Sequence, residues 1–235
     1  MKKPPSDREL AEKHKYRLPN GDLAVNVTAI SGLMDLGKSS AFAGAAVKLT
    51  KAGEDYRATW SAKAARGTRI HGHLESFMRG EPIDQQDDEK GFVDALENFM
   101  TDHNPTLIEQ EEIVLSNHGF GGRFDLVAEI DNGEIVLVDL KSGSMYPKEI
   151  TLQLSAYRFS DGIATYDEEG NLASLRPMPE VDSCAGLYVR EDGSYRLERY
   201  PADQEAFGVF LSLLKAYKWT RTDQMKALQK EARNA

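Results

Sequence analysis

The sequence of 235 residues contains a single cysteine, Cys184. One thiol cannot form an internal disulfide, and it cannot build an iron–sulfur cluster or a four-cysteine zinc site. Long hydrophobic runs are also missing. No stretch approaches the ~20 apolar residues of a membrane helix, and the start MKKPPSDRELAEKHK lacks the apolar region of a signal peptide. We therefore expect a cytoplasmic protein with no membrane partner.

The composition is that of an ordinary globular protein. Hydrophobic residues make up 40% of the chain and charged residues 29%. This length suffices for one sizeable core, so we predict a single domain, 1–235. Within it we expect a loose N-terminal arm (1–20), a helical region (23–105), a core of strands and helices (107–220) and a polar helical tail (221–235).

The net charge of −9 argues against a nucleic-acid partner, because binding of phosphates is driven by lysine and arginine. The charges are unevenly distributed, however. Acidic side chains crowd between Glu75 and Glu112, whereas both ends of the chain are rich in lysine and arginine. An acidic total therefore permits a basic groove without demonstrating one, and solvated helix faces explain each run equally well.

The hydrophobic pattern predicts helices in the first half of the chain. In RGTRIHGHLESFMRG (66–80), apolar residues recur every three or four positions, as on the buried face of a helix. GFVDALENFMTDH (91–103) shows the same period. In LAVNVTAISGLMDL (23–36), Asn26 or Thr28 is suited to cap a further helix.

The pattern changes to that of strands after residue 106. IEQEEIVLS (108–116) and GGRFDLVAEI (121–130) alternate loosely between apolar and polar residues, and EIVLVDLKSG (134–143) is almost continuously apolar. The D-N-G sequence at 131–133 is typical of a hairpin turn. These three strands therefore form the start of a sheet.

The remaining segments add helices and a second hairpin. EITLQLSAYRFSDGI (149–163) predicts a helix, AGLYVRED and GSYRLERY predict a hairpin, and a last helix is expected from Gln204 to Thr220. The order is helices, three strands, helix, two strands, helix. We therefore predict an α/β fold with a mixed central sheet flanked by helices.

Asp139 and Lys141 stand at the end of the strand IVLVDLK. Side chains two apart on a strand project from the same face, so these two are neighbours. Alone they would form a partly exposed ion pair worth roughly 0–1 kcal/mol. Here the preceding strand carries Asp125, and strands joined by a tight turn pair directly. Two carboxylates so close together repel unless a proton or a cation lies between them.

A divalent cation would resolve this repulsion. Mg²⁺ prefers oxygen ligands, so Asp125, Asp139 and the backbone carbonyl of Leu140 form a partial coordination shell. Lys141 beside such a site would orient or deprotonate a water and offset negative charge on a phosphate. The pattern therefore predicts a metal-assisted phosphodiester hydrolase.

The order of these motifs resembles the PD-(D/E)XK nuclease superfamily, and within it the RecB-like exonuclease branch. The motifs are Gly-x-x-Asp ending at Asp125, Asp-x-Lys starting at Asp139, and Gln-x-x-x-Tyr (153–157) on the next helix. Gly67 and His71, four apart on an earlier helix, match a further feature of this branch. The likeness extends to the mitochondrial genome maintenance exonucleases and to phage relatives of CRISPR-associated RecB-like nucleases that lack the iron–sulfur cluster.

This resemblance implies a restriction-endonuclease-like fold in which the helical region arches over the site and 107–220 is the nuclease core. It implies a set of metal ligands: His71, Asp125, Asp139, the Leu140 carbonyl and, where relatives often have a glutamate, Glu112. It also implies a set of catalytic residues: Lys141, Asp139, Asp125, Gln153 and Tyr157. Mg²⁺ or Mn²⁺ is the implied cofactor, with no iron–sulfur cluster.

Several of these residues also have an ordinary structural explanation. A lone helix histidine such as His71 is more often a satisfied structural residue than a ligand, and Tyr157 is equally compatible with the core. Gly121 and Gly122 fit either a β-bulge or a close approach of the substrate backbone. His73 is expected on the surface.

The resemblance implies a Mg²⁺- or Mn²⁺-dependent DNA exonuclease acting on single-stranded or frayed ends, in recombination, repair or replication of a phage or bacterium. The chain has no G-x-x-x-x-G-K-[ST] motif for ATP-driven unwinding, so a helicase or recombinase partner is expected to supply single strands. Two alternatives remain open. One is a structure-specific endonuclease that cuts flaps or junctions, and the other is a non-catalytic DNA-binding module of the same fold.

Overall fold

The computed structural model of the protein describes residues 5–34, 38–131 and 133–226. The predicted polar tail lies outside the described residues beyond residue 226, as does Asn132 in the predicted hairpin turn. In the described part of the chain, no helix has both the length and the apolar character to cross a membrane.

Helices dominate the first half of the chain and strands the second. The first elements are α1 (Asp7–Ala11), β1 (Val25–Asn26), α2 (Val27–Ser31), α3 (Lys38–Lys51), α4 (Tyr56–Arg79) and α5 (Lys90–His103). The next are β2 (Thr106–Gln110), β3 (Ile113–Ser116), β4 (Phe120–Arg123), β5 (Leu126–Ile130), β6 (Glu134–Lys141) and α6 (Pro147–Arg158). The last are β7 (Gly162–Tyr166), β8 (Leu172–Arg176), β9 (Ser183–Val189), β10 (Tyr195–Tyr200) and α7 (Gln204–Trp219).

The strands of the described residues form two five-stranded sheets. The first has the order β1-β4-β3-β7-β8, and the second has the order β10-β9-β6-β5-β2. Both are mixed, because β1 pairs with β4 and β6 pairs with β9 in parallel, whereas the other neighbours are antiparallel. The predicted α/β class with mixed sheet and flanking helices is confirmed, although the strands are divided between two sheets instead of one.

Strands β5 and β6 are buried on both faces because successive side chains alternate. Val127 and Leu137 pack into a cluster with residues of α2, α6 and α7. Leu126 and Val138 pack on the opposite side with residues of α4 and α5. Burial on both faces explains the almost continuous apolar run of β6. Asp139 shares the parity of Leu137, so it projects toward α6.

The two sheets join where consecutive strands pass from one to the other. Only Glu111 and Glu112 separate β2 from β3, and only Phe124 and Asp125 separate β4 from β5. The two breaks lie side by side: the Glu111 N–H donates to the Asp125 carbonyl at 3.0 Å, and the Phe124 N–H donates to the Glu112 carbonyl at 3.1 Å. We call these four residues the seam. The predicted strands 108–116 and 121–130 are therefore present, but each is divided in two at the seam.

The segment predicted as a loose arm is packed against the first sheet over its described part. Asp7 accepts hydrogen bonds from Arg17 Nε at 2.7 Å and from the Leu172 N–H at 2.9 Å. Tyr16 is buried in a cluster with residues of β3 and β7. The prediction of a loose arm is therefore wrong, because its few apolar side chains cover a face of the sheet that would otherwise meet water.

The sequence prediction missed the hairpin of β7 and β8. It extended the helix to residue 163, whereas α6 ends at Arg158 and β7 begins at Gly162. The hairpin adds two strands to the first sheet next to β3. Its second strand is mostly exposed or half-buried, so its sequence lacks the apolar alternation by which strands are recognised.

A buried carboxylate, Glu89, links α4 to the start of α5. The side chain is completely inaccessible, and it contacts Arg69 Nε, His73 Nε2 at 2.9 Å and the Gln86 N–H at 2.9 Å. Arg69 and His73 are four apart on one face of α4, so a single carboxylate fixes the rotation of that helix. His73 is therefore buried, contrary to the expected surface position, and His71 projects from the other side of α4.

Candidate metal centre

Three potential metal ligands meet where α4 passes the seam. His71 comes from α4, and Glu111 and Asp125 come from the two breaks of the seam. One ligand atom of each lies within 4.8 Å of those of the other two. His71 Nδ1 lies 3.2 Å from Asp125 Oδ1. The long helix and the seam thus bring together residues from distant parts of the sequence.

The backbone around it holds Asp125 in place. Its Oδ2 accepts a hydrogen bond from the Leu140 N–H at 2.6 Å, and its own carbonyl accepts one from the Glu111 N–H at 3.0 Å. The hairpin register, with Leu126 opposite Val138, sets Asp125 beside the end of β6. The structure therefore brings Asp125 to the neighbourhood that the sequence predicted. A ligand role for the Leu140 carbonyl stays a prediction.

Glu111, not Glu112, lies at this centre. Glu111 has a left-handed backbone conformation, with φ of 51°. At this break in the strand, the side chains of Glu111 and Glu112 therefore project to different sides. Glu112 turns away and pairs with Arg176 at 3.3 Å. Glu112 is therefore outside the group of three, and its role as a ligand stays a prediction. The apolar pattern of the sequence does not reveal the strand break, which is what selects between the two adjacent glutamates.

Asp139 is held beside Lys141 and α6. Its Oδ1 accepts a hydrogen bond from Gln153 Nε2 at 2.6 Å, and Gln153 Nε2 also donates to the Tyr157 hydroxyl at 3.0 Å. Its Oδ2 forms an ion pair with Lys141 Nζ. Gln153 and Tyr157 lie four apart on one face of α6. Because Asp139 is outside the group of three ligands, its role as a metal ligand stays a prediction.

These groups line one cleft of ≈ 800 Å³. The predicted site residues on its walls are His71, Asp125, Asp139, Lys141, Gln153 and Tyr157. Residues that the sequence did not single out include Glu12, His14, Glu75, Glu111 and Arg123. The N-terminal segment was expected to be loose, which is why its contribution to the cleft could not be foreseen.

The carboxylates of the cleft shift the protonation of their neighbours. Burial alone would lower the pKa of His71, but the charge of Asp125 and its hydrogen bond outweigh burial and raise the pKa to about 9. Burial, together with the charge of Asp125, raises the pKa of Glu111 to about 7. Burial also raises the pKa of Asp139, to about 6, although Lys141 opposes it. The raised pKa values show that the ionised forms of Glu111 and Asp139 are destabilised in the cleft. A bound cation would stabilise these ionised forms.

Gly122 is required by close packing. A Cβ atom at this position would lie 2.6 Å from Tyr157 Cε1 and 3.1 Å from Val27 Cγ2. The pairing of β4 with β3 is regular at Gly122, opposite Val114, so no bulge is present. The β-bulge interpretation of the glycine pair is therefore wrong, and a close approach of the substrate backbone stays a prediction. At Gly122 the missing side chain makes room for the Tyr157 ring.

The two adjacent glutamates provide a matched test of the centre. We expect Glu111→Gln to weaken Mn²⁺ binding by about 10–100-fold, because a charged oxygen ligand is lost. Glu112→Gln should leave the affinity unchanged, since its side chain pairs with Arg176. Isothermal titration with Mn²⁺ in the absence of nucleic acid measures both. Equal losses in the two variants would contradict the placement of Glu111 at the centre.

Comparison with known proteins adds little to this description. No family model matches the sequence, and no curated protein matches it. Among 14 matching chains of solved structures, one described as "Crystal structure of SSO0001" has a TM-score of 0.41 and 14% identity, over 91% of this chain and 82% of the other. A similarity of this degree says nothing about activity, so the function has to be inferred from the side chains themselves.

Proposed function

We propose that the protein is a Mg²⁺- or Mn²⁺-dependent DNA nuclease of the PD-(D/E)XK type, similar to RecB-like exonucleases, that acts on single-stranded or frayed ends. One observation carries the proposal. His71, Asp125 and the pair of Asp139 and Lys141 come from separate elements and line the same cleft. A structural ion pair would need only two of these groups, whereas hydrolysis of a phosphodiester needs ligands, a cationic group and space for substrate together.

The residues present fit a hard divalent cation. The group of His71, Glu111 and Asp125 offers one imidazole nitrogen and two carboxylates, a donor set suited to Mn²⁺ or Mg²⁺. Their charges also favour a cation, because burial and mutual repulsion raise the pKa of Glu111. When bound, the cation would supply Lewis-acid chemistry to a phosphoryl oxygen.

Of the other side chains of the cleft, one would act on the substrate and two would act as positioning residues. The ammonium group of Lys141 is held by Asp139, and it would offset the negative charge that develops on the phosphate under attack. Gln153 orients Asp139 by donating to its Oδ1 at 2.6 Å. The Tyr157 hydroxyl accepts a second hydrogen bond from Gln153 Nε2, at 3.0 Å, and would help to keep Gln153 in this orientation. Lys141 is therefore the catalytic residue in this scheme, and Gln153 and Tyr157 are positioning residues.

The wall formed by α4 suits a polymeric substrate. Ala64, Gly67 and Thr68 line the cleft on the part of α4 that precedes His71. A strand bound in the cleft would run past these small residues of α4 toward the metal centre. We therefore favour a nucleic-acid strand over a small phosphodiester as the substrate.

A comparison of linear with circular single-stranded DNA tests the exonuclease proposal. We expect the protein with Mn²⁺ to shorten an end-labelled linear strand and to leave a closed circle of the same sequence intact, because an exonuclease needs an end. Cutting of the circle would identify an endonuclease instead. DNA binding without cleavage of either substrate, with any metal, would indicate a binding module and contradict the proposal.

A further inference from the structure

A second cavity of ≈ 410 Å³ adjoins the cleft of the metal centre. Glu12, Glu111 and Arg123 line both spaces, so the two are in direct contact. The second cavity is also lined by Arg8 and Arg176. Its volume lies within the range of small-ligand sites. Three guanidinium groups therefore surround one space next to the proposed centre. Such a cluster is notable because the protein as a whole has a net charge of −9.

Arg123 is the group that connects the two spaces. It ends β4 immediately before the seam. Its Nε is buried and, among the described residues, has no hydrogen-bond partner. Its Nη1 lies 3.7 Å from Glu111 Oε2, beyond hydrogen-bonding distance. A buried guanidinium N–H without an acceptor is costly, and an anion drawn toward Arg123 would supply the acceptor that the described residues do not.

Carboxylates also lie around the cavity. Arg176 forms two hydrogen bonds to Glu109, at 2.5 and 2.8 Å, and lies 3.3 Å from Glu112. These contacts fix Arg176, whose single charge offsets part of the charge of the two glutamates. The two other guanidinium groups, of Arg8 and Arg123, share this cavity with the carboxylates of Glu12 and Glu111. The distance from Glu111 Oε2 to Arg123 Nη1 is too long for a hydrogen bond.

Arg8 is positioned by an aromatic ring. Its guanidinium carbon lies over the Tyr166 ring, 5.5 Å from the ring centre, a cation–π arrangement that holds the group at the rim of the cavity. Arg8 is exposed and Arg123 is half-buried, and both line the same space. An anion entering between them would meet charged donors from two directions.

We propose that this second cavity is a phosphate-binding subsite, in which Arg123 and Arg8 hold a phosphate of the DNA strand next to the bond at the metal centre. The inference rests on the proposed nuclease function. Arginine suits this role because its planar donors match phosphate oxygens. The phosphate is either a terminal one or an internal one of the strand, and the subsite would fix the distance between that phosphate and the cleaved bond.

The test measures binding in EDTA, where no cleavage occurs. Fluorescence anisotropy follows a short single-stranded oligonucleotide with the wild type and with Arg123→Gln at several salt concentrations. We expect Arg123→Gln to lower the affinity by about tenfold and to reduce the slope of log K against log [salt] by about 1, since one phosphate contact is lost. Arg196→Gln, an exposed arginine on β10 away from both cavities, is the matched control and should bind like the wild type.

Two further comparisons complete the experiment. Arg8→Gln, at an exposed position, should cause the same kind of loss and keeps the test decisive if Arg123→Gln fails to fold. Oligonucleotides with a 5′-phosphate, a 3′-phosphate or neither separate the two sources. If Arg123→Gln removes a preference for a phosphorylated end, the subsite holds the terminal phosphate. If it weakens all three oligonucleotides equally, the subsite holds an internal phosphate.

The outcomes separate this subsite from the nuclease function. Wild-type affinity and salt slope in both Arg8→Gln and Arg123→Gln would overturn the subsite and leave the nuclease proposal standing. Absence of oligonucleotide binding by the wild type would overturn the subsite and count against the nuclease proposal as well. If the wild type cleaves DNA with Mn²⁺ but its binding does not depend on Arg8 or Arg123, the subsite proposal is wrong and the nuclease proposal stands.

Discussion

Lys141→Met is expected to lower the rate of metal-dependent cleavage of single-stranded DNA by about 10²–10⁴-fold. The substitution removes the ammonium group that Asp139 holds in the cleft, while methionine keeps most of the length of the side chain. Lys141 stands at the end of β6 and is partly exposed, so the fold should persist. The measurement is the initial rate of release of an end label with Mn²⁺, with circular dichroism as the check on folding.

Lys148→Met is the matched control for this variant. Lys148 is exposed on the first turn of α6, outside the lining of the cleft, so the same substitution there should leave the rate near that of the wild type. Asp139→Asn should reduce the rate like Lys141→Met, because it releases the ammonium group from its partner. Full activity of Lys141→Met in a folded protein would refute the role of Lys141 in the chemistry.

The second large effect concerns stability. Glu89→Gln is expected to lower the free energy of unfolding by about 2–3 kcal/mol. This loss is smaller than the roughly 3–5 kcal/mol typical of a broken buried ion pair, because Arg69 is partly exposed and has Asp88 nearby. For a protein of this size the melting temperature should fall by roughly 5–10 °C. Differential scanning calorimetry measures this change. Glu97→Gln, at an exposed position of α5, is the control.

The same carboxylate predicts how stability depends on pH. Burial would raise the pKa of Glu89, but hydrogen bonds from Gln86, His73 and Arg69 outweigh it and lower the pKa to about 2. A carboxyl group with a lowered pKa in the folded state stabilises the protein above its ordinary pKa of 4.5, and this contribution is lost as the pH falls toward 2. Between pH 5 and pH 2, Glu89→Gln should therefore lose less stability than the wild type. Parallel curves for the two proteins would be inconsistent with this role of Glu89.

Much of the fold could be predicted from local patterns. The helical period in 66–80 and 91–103 corresponds to α4 and α5, and the D-N-G turn correctly placed β5 beside β6. The register of that hairpin brings Asp125 to the end of β6, as expected from the alternation of side chains. These features depend on neighbours in the sequence or on a single turn, which is why they can be inferred without a structure.

What could not be predicted depends on contacts between distant segments. The choice of Glu111 over Glu112 follows from strand breaks at the seam, which are set by hydrogen bonds to Phe124 and Asp125. The packing of residues before 20 depends on a sheet face completed by β7, far along the chain. Polar residues such as Arg123 gave no signal at all, since an arginine next to a strand is normally only solvated.

The measurement that tests the central claim most directly is degradation of single-stranded DNA by the wild type, labelled at either end, with Mg²⁺, Mn²⁺ or EDTA. We expect release of label with at least one of the two metals and none in EDTA, because His71, Glu111 and Asp125 are inferred to hold a divalent cation. The end that loses its label first gives the polarity of digestion. Absence of cleavage with either metal, or equal cleavage in EDTA, would contradict a metal-dependent nuclease.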